Sequence, residues 1–287
     1  MQLAPSPDIK QSQFVLRNSY KSPKIYPMAD QLDYSQLDDP LLLQFVFFPR
    51  SDWTPAPEDA TDHQVIVENG ISIFCRFYPV DTSGPSILYF HGNGEVACEY
   101  DWIARFFNEI GVNLFVADYR GYGKSDGQPT FTNTAADCHQ IFNYFRDMLD
   151  SSGYTEKIFV MGRSLGSQPA LDLAANHPEE MNGLIIESGF AQNGRLMRYL
   201  GLPVSIPNLD DFEKTALERI RQITMPALFI HGEQDVLIPP TEAETIYENI
   251  GSEDKKLLII RGGDHNTLML VGLQQYFDAI KEFITGG

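Results

Sequence analysis

Val160-Met161-Gly162-Arg163-Ser164-Leu165-Gly166-Ser167 decides the fold, because it joins a short apolar run to an alanine- and leucine-rich stretch. The Gly-x-Ser-x-Gly pattern has a mechanical reason. A sharp strand-to-helix turn forces its central residue into strained backbone geometry, and the flanking glycines leave room for neighbouring chain to close in. Such a turn holds the Ser164 hydroxyl at the positive end of the following helix, placed to act as a nucleophile. Five residues alone are weak evidence, since a glycine-rich turn with an incidental serine also fits them. Their seat between a strand and a helix decides for the nucleophile.

Outward from this turn the pattern alternates. Residues 64–68 and 71–77 flank Asn69-Gly70, a strong hairpin signal. Short apolar strands are predicted at 86–90, 112–117, 157–161, 184–186, 227–230 and 257–260. Helices are predicted between and after them, at 98–109, 134–149, 165–176, 241–250 and 269–283. This alternation implies a mostly parallel central sheet with helices on both faces and an antiparallel hairpin at its leading edge. Ligands of such sheets bind at the carboxyl ends of the strands. The chemical groups should therefore follow strands, and they do.

A serine hydroxyl needs a base, and the base needs an orienting carboxylate. After the strand at 227–230 comes His231-Gly232-Glu233-Gln234-Asp235, and after that at 257–260 comes Arg261-Gly262-Gly263-Asp264-His265-Asn266. The order Ser164, Asp235, His265 is the serine–acid–histidine order of a strand-borne nucleophile turn. His265 is the base, being the one histidine of six in a glycine-rich loop after a late strand. Asp235 is the favoured acid, with Glu187, Glu233 and Asp264 as alternatives. His63, His139 and His177 suit solvated or packing roles, and His231 a structural one.

Acyl transfer also needs N–H donors aimed where negative charge develops on the carbonyl oxygen. Residues 86–90 run into His91-Gly92-Asn93-Gly94-Glu95, a small turn able to bend inward. The Asn93 and Leu165 amides are the two candidate donors. His91 supports the loop, and Glu95 reads as a surface charge or, more sharply, as a contact for a substrate amine.

With these pieces in order, the sequence resembles the α/β-hydrolase superfamily. The matching blocks are His91-Gly92-Asn93-Gly94, Asp118-Tyr119-Arg120-Gly121-Tyr122-Gly123-Lys124-Ser125, the Ser164 turn, and the Asp235 and His265 loops. They cover residues 64–285, and the nearest look is to the serine-aminopeptidase-like and acyl-protein-thioesterase-like branch. The resemblance implies the α/β-hydrolase fold and hydrolysis of carboxylic esters or thioesters with no cofactor. A serine where haloalkane dehalogenases carry aspartate argues against dehalogenation.

The block ending Gly123-Lys124-Ser125 is not a phosphate loop, because Asp118 stands where that pattern needs glycine. No zinc, EF-hand or dinucleotide motif is present, so no metal or cofactor is expected. The 287 residues are 43% hydrophobic, enough for a substantial core, and carry a formal net charge of −18. That charge opposes binding to nucleic acid or anionic lipid. The expected partner is a small-molecule acyl substrate, with no nucleic acid and no stable membrane insertion. Cys75, Cys98 and Cys138 read as free thiols, and no basic-then-apolar leader opens the chain, so a soluble cytoplasmic protein is expected.

Prolines at 5, 7, 23, 27, 40, 49, 55 and 57 make residues 1–60 an irregular extension. Its apolar run at 41–48 predicts that it packs on the main domain, residues 61–287. The long connection after residue 186 predicts a short cap at about 189–212. Met197, Tyr199 and Leu200 on its amphipathic stretch are the candidate substrate contacts. Two rival functions stay open: a peptidase or amidase using the same three residues, and a binding protein that kept the fold without catalysis.

Overall fold

The computed structural model describes residues 32–155, 157–199, 201 and 206–286. The first 31 residues of the expected extension, and Leu200 of the cap, lie outside the described residues. Leu32–Gly287 forms one compact unit.

Its first elements depart from the irregular course that the prolines predict. A 3-10 turn at Tyr34–Leu37 precedes helix α1 (Pro40–Val46). Pro40 stands in the first turn, where a missing N–H costs nothing, and the Asp39 carboxylate accepts the Leu41 and Leu42 amides at 2.9 and 3.1 Å. Leu37, Leu42 and Phe47 are buried in the core, while Leu41, Phe45 and Phe48 stay exposed.

The hairpin follows as β1 (Thr61–Glu68) and β2 (Ile71–Tyr78), turned at Gly70 with φ +80°. Then come β3 (Ser86–Phe90), α2 (Ala104–Glu109), β4 (Asn113–Ala117), α3 (Phe131–Ser151) and β5 (Ile158–Arg163). Beyond the nucleophile turn lie α4 (Ser167–Asn176), β6 (Gly183–Glu187), α5 (Asn193–Tyr199), α6 (Leu209–Ile220) and β7 (Ala227–Gly232). The chain ends with α7 (Pro240–Asn249), β8 (Lys255–Ile260), α8 (Leu268–Val271) and α9 (Leu273–Thr285).

The eight strands form one sheet in the order β1-β2-β4-β3-β5-β6-β7-β8. Pairings of β1 with β2 and of β2 with β4 are antiparallel; every other pairing is parallel. Strands β3 to β7 are buried along their whole length, which is why they read as continuous apolar runs. Successive side chains alternate between two cores. Leu88, Phe115, Val160 and Phe229 pack with Phe142 and Phe145 of α3 and Ala170 of α4. Ile87, Leu114, Met161 and Leu228 pack with Phe107 of α2 and with Tyr276 and Ile280 of α9. Burial of this kind stabilises by roughly 25 cal/mol per Å² of apolar surface.

Two predicted helices are broken. Residues 98–109 divide into a 3-10 turn at Ala97–Asp101 and α2, the turn being tied down where the Ala97 amide donates to Asp118 at 2.7 Å. Residues 269–283 divide at Gly272, a poor helix former packed on the Ile260 side chain. The long connection holds a second helix, α6, whose Phe212, Ala216 and Ile220 recur at helical spacing and are buried. Among the described residues no helix is long and apolar enough to cross a membrane.

Candidate active site at the carboxyl edge of the sheet

Ser164 is the first residue beyond β5, with φ +51°, in a 3-10 turn that runs straight into α4. This left-handed backbone is costly for a residue with a side chain and persists only where the surroundings enforce it. The enforcement is visible at the two flanking glycines. A Cβ on Gly162 would collide with the Gly166 carbonyl, and one on Gly166 with the Phe90 carbonyl of the neighbouring strand. Only glycine at both positions lets the turn close.

Asp235 follows β7 and His265 follows β8. The structure brings both to Ser164. The Asp235 Oδ2 lies 2.7 Å from His265 Nδ1, and His265 Nε2 lies 3.0 Å from the serine Oγ. All three side chains sit in residues that are under a tenth exposed. The other Asp235 oxygen accepts the Leu237 and Ile238 amides at 3.0 and 2.8 Å, closing a tight turn that fixes the carboxylate. Burial alone would raise the Asp235 pKa, but hydrogen bonds from His231 and His265 and the Ile238 amide hold it well below the usual carboxylate range. His231 thus has the structural role expected of it, with Nε2 2.8 Å from the Ile238 carbonyl and 3.4 Å from Asp235.

The alternative acids are engaged elsewhere. Glu187 pairs with Arg163 and accepts the Tyr276 hydroxyl at 2.6 Å. Glu233 accepts the Gly262 amide, and Asp264 accepts the amides of Asn266 and Thr267.

The loop after β3 is built around one peptide plane. The Gly92 carbonyl receives His91 Nδ1 at 2.8 Å and the Glu95 amide at 3.3 Å. In a trans peptide the N–H points opposite the carbonyl, so these two bonds aim the Asn93 N–H. That N–H has no acceptor among the described residues. The Asn93 side chain is used differently, accepting Phe48 N–H at 2.9 Å and the Tyr122 hydroxyl at 2.7 Å while donating to the Val46 carbonyl. The chain just after α1 is therefore pinned to this loop, a contact the sequence did not reveal. Leu165 lies in the first turn after the serine, where helical N–H groups lack an internal acceptor.

One expectation needs correction. Glu95 is not a surface charge: it is largely buried, ion-paired to Arg163 and hydrogen-bonded by Tyr100 at 2.6 Å and the Gly92 amide at 3.0 Å. Burial would raise its pKa, but Arg163, His91 and these donors hold it lowered. Met197, on the apolar side of α5, is buried in the core. Tyr199 is exposed and donates its hydroxyl to the Val236 carbonyl in the acid loop at 3.1 Å.

Cys138, His139 and Asp172 bring possible metal-ligand atoms within 4.8 Å of one another. The His139 Nε2 is already bonded to Asp172, and the Arg219 guanidinium lies 3.0 Å from the same carboxylate, opposing a cation. That cluster does not include Ser164, Asp235 or His265. The three cysteines are buried and free.

A hydroxyl, an imidazole acceptor, a buried carboxylate and amide donors at one edge can activate a nucleophile and stabilise an oxyanion. The family described as serine aminopeptidase, S33 matches residues 83–205 and 206–269. Protein bem46 of Schizosaccharomyces pombe is 29% identical over 215 residues, covering 70% of this chain and 68% of that protein. The human α/β hydrolase domain-containing protein 17B is 28% identical over 251 residues, covering 82% and 80%. Among solved structures, the Pyrococcus furiosus esterase Pf2001 superposes with TM-score 0.69 at 19% identity, covering 84% of this chain and 99% of that one. The Paleococcus ferrophilus monoacylglycerol lipase does so with TM-score 0.58 at 19% identity, covering 75% and 98%.

Proposed function

We propose that this chain, which belongs to the serine aminopeptidase S33 family of α/β-hydrolases, is a serine hydrolase cleaving carboxylic esters or thioesters through an acyl-enzyme on Ser164. The observation that carries this reading is the hydrogen-bonded line from Asp235 through His265 to a serine held at positive φ.

His265 Nε2 takes the Ser164 proton as Oγ attacks the acyl carbonyl, and Asp235 orients the ring and stabilises the imidazolium. The Asn93 and Leu165 amides receive the oxyanion. His265 then protonates the leaving alcohol or thiol as the ester bond breaks. Water, deprotonated by His265, attacks the acyl-enzyme and releases the acid and free Ser164.

The family description favours a second reading, an aminopeptidase, which would need a carboxylate to hold a substrate amine. Glu95, placed by sequence beside the pocket for that role, already has its oxygens engaged by Arg163, the Gly92 amide and the Tyr100 hydroxyl. Exposed apolar side chains lie close in sequence to the reacting groups: Val236 and Leu237 just after Asp235, and Leu270 and Val271 shortly after His265. They suit an acyl chain better than a charged terminus. Kinetics on p-nitrophenyl esters, acyl thioesters and aminoacyl p-nitroanilides test the choice. Turnover of the first two and not the third, abolished in Ser164→Ala, is expected. Turnover confined to the anilides would replace this reading with the peptidase one.

A further inference from the structure

Arg163 immediately precedes the nucleophile, yet its side chain turns away from the acyl site into a buried cluster. Its Nε donates to Glu187 Oε1 at 3.1 Å, the residue directly opposite on β6. Its Nη1 binds Glu95 of the loop after β3. Its Nη2 donates to the His265 carbonyl at 2.8 Å and to the Asn266 Oδ1 at 3.3 Å. One guanidinium therefore joins the ends of β3, β5, β6 and β8.

The contacts converge on the two features that the reaction needs fixed. The second Glu95 oxygen accepts the Gly92 N–H, and Glu95's own amide donates to the Gly92 carbonyl, whose peptide carries the Asn93 N–H. On the other side, the guanidinium grips the backbone of the base itself. Gly92 belongs to the same device, because a Cβ there would collide with the Arg163 guanidinium and lie 2.8 Å from Glu95 Oε1. Tyr100 and Tyr276 hydroxyls close the outer faces of the two carboxylates at 2.6 Å each. A planar fork spreads five donors over three nitrogens and can span these separated partners, whereas an ammonium has three donors on a single atom.

We propose that Arg163 is a positioning residue, its buried fork locking the Asn93 donor loop and the His265 backbone onto the Ser164 turn. The proposal rests on the serine-hydrolase reading. Misplacement of reacting groups by a fraction of an ångström costs transition-state stabilisation while leaving ground-state binding almost intact.

The test is kcat and KM on p-nitrophenyl butyrate for wild type, Arg163→Lys and Glu95→Gln, with active sites counted by a fluorophosphonate probe and folding followed by circular dichroism. Arg163→Lys keeps the charge and loses the fork, so kcat per labelled serine should fall on the order of 100-fold with KM within about 3-fold. Glu95→Gln keeps an acceptor for Gly92 N–H and carries the test if the lysine variant does not fold. Its kcat should fall about 10-fold. A purely structural role would lower the number of active sites and leave kcat per site unchanged, and that result overturns the proposal. No turnover or labelling by wild type overturns the hydrolase reading, and this proposal with it.

Discussion

Two buried histidine–carboxylate systems flank α4, and they differ in what lies beyond the histidine. At the N-terminal end, Asp235 and His265 stand 2.7 Å apart and His265 reaches Ser164. Toward the C-terminal end, Asp172 and His139 stand 2.9 Å apart, but His139 reaches His177 Nε2 at 2.9 Å, and His177 reaches Glu180 at 2.8 Å. Asp172 is further held by Arg219 at 3.0 Å. The second system ends in another ring and a carboxylate, so it pins helices α3, α4 and α6 together. The first ends on a hydroxyl held in costly backbone geometry, the arrangement that the proposed function uses for chemistry. A histidine–aspartate pair is not a base by itself; its third partner makes it one.

Breaking the first system should remove activity and leave the fold. Ser164→Ala should cut kcat on the order of 10⁶-fold, measured on p-nitrophenyl esters, with an unchanged melting temperature. Asp235→Asn should cut it about 10⁴-fold, because the amide stabilises the wrong imidazole tautomer. A loss below about tenfold there would move the acid role to another carboxylate.

Breaking the second system should do the reverse. Asp172→Ala leaves the Arg219 guanidinium without this buried counter-charge and should destabilise by about 3–5 kcal/mol in urea unfolding. Rates per labelled serine in the protein that remains folded should match wild type. Lost labelling in folded Asp172→Ala would show that the two systems are coupled through α4.

The smallest effect concerns pH. Burial, with the charges of His139 and Arg146, lowers the His177 pKa to about 4. The unfolded chain has the ordinary value near 6.5, so between about pH 4 and 6.5 it binds a proton that the folded chain excludes. Stability therefore falls as pH drops through that window, by about 2 kcal/mol at pH 5 from this group. His177→Asn should remove about that much of the pH dependence of the unfolding free energy, measured by urea unfolding at pH 5 and 7. An unchanged slope would assign the acid sensitivity to other groups.

The contrast also marks what the sequence could and could not show. Ser164, Asp235 and His265 were legible because each follows an apolar strand, and strand order fixes which loops meet at one edge. His139, Asp172 and His177 lie on helices and a helix end whose mutual packing depends on side-chain volumes, so no local spacing announced them. Arg163 was in plain view inside the turn, but its partners are 68 and 102 residues away, joined only by the register of parallel strands. Helix α1 was hidden by Pro40, which reads as a breaker unless Asp39 is recognised as its cap. Glu95 looked like an exposed charge because its counter-ion is distant in sequence.

The central claim is that Ser164 forms a covalent intermediate. Intact-protein and peptide mass spectrometry after reaction with a fluorophosphonate at neutral pH tests it most directly. One adduct per chain on the peptide containing Ser164, absent in Ser164→Ala, is the predicted result. Well-folded wild-type protein that takes no label, or takes it on another residue, would contradict the account.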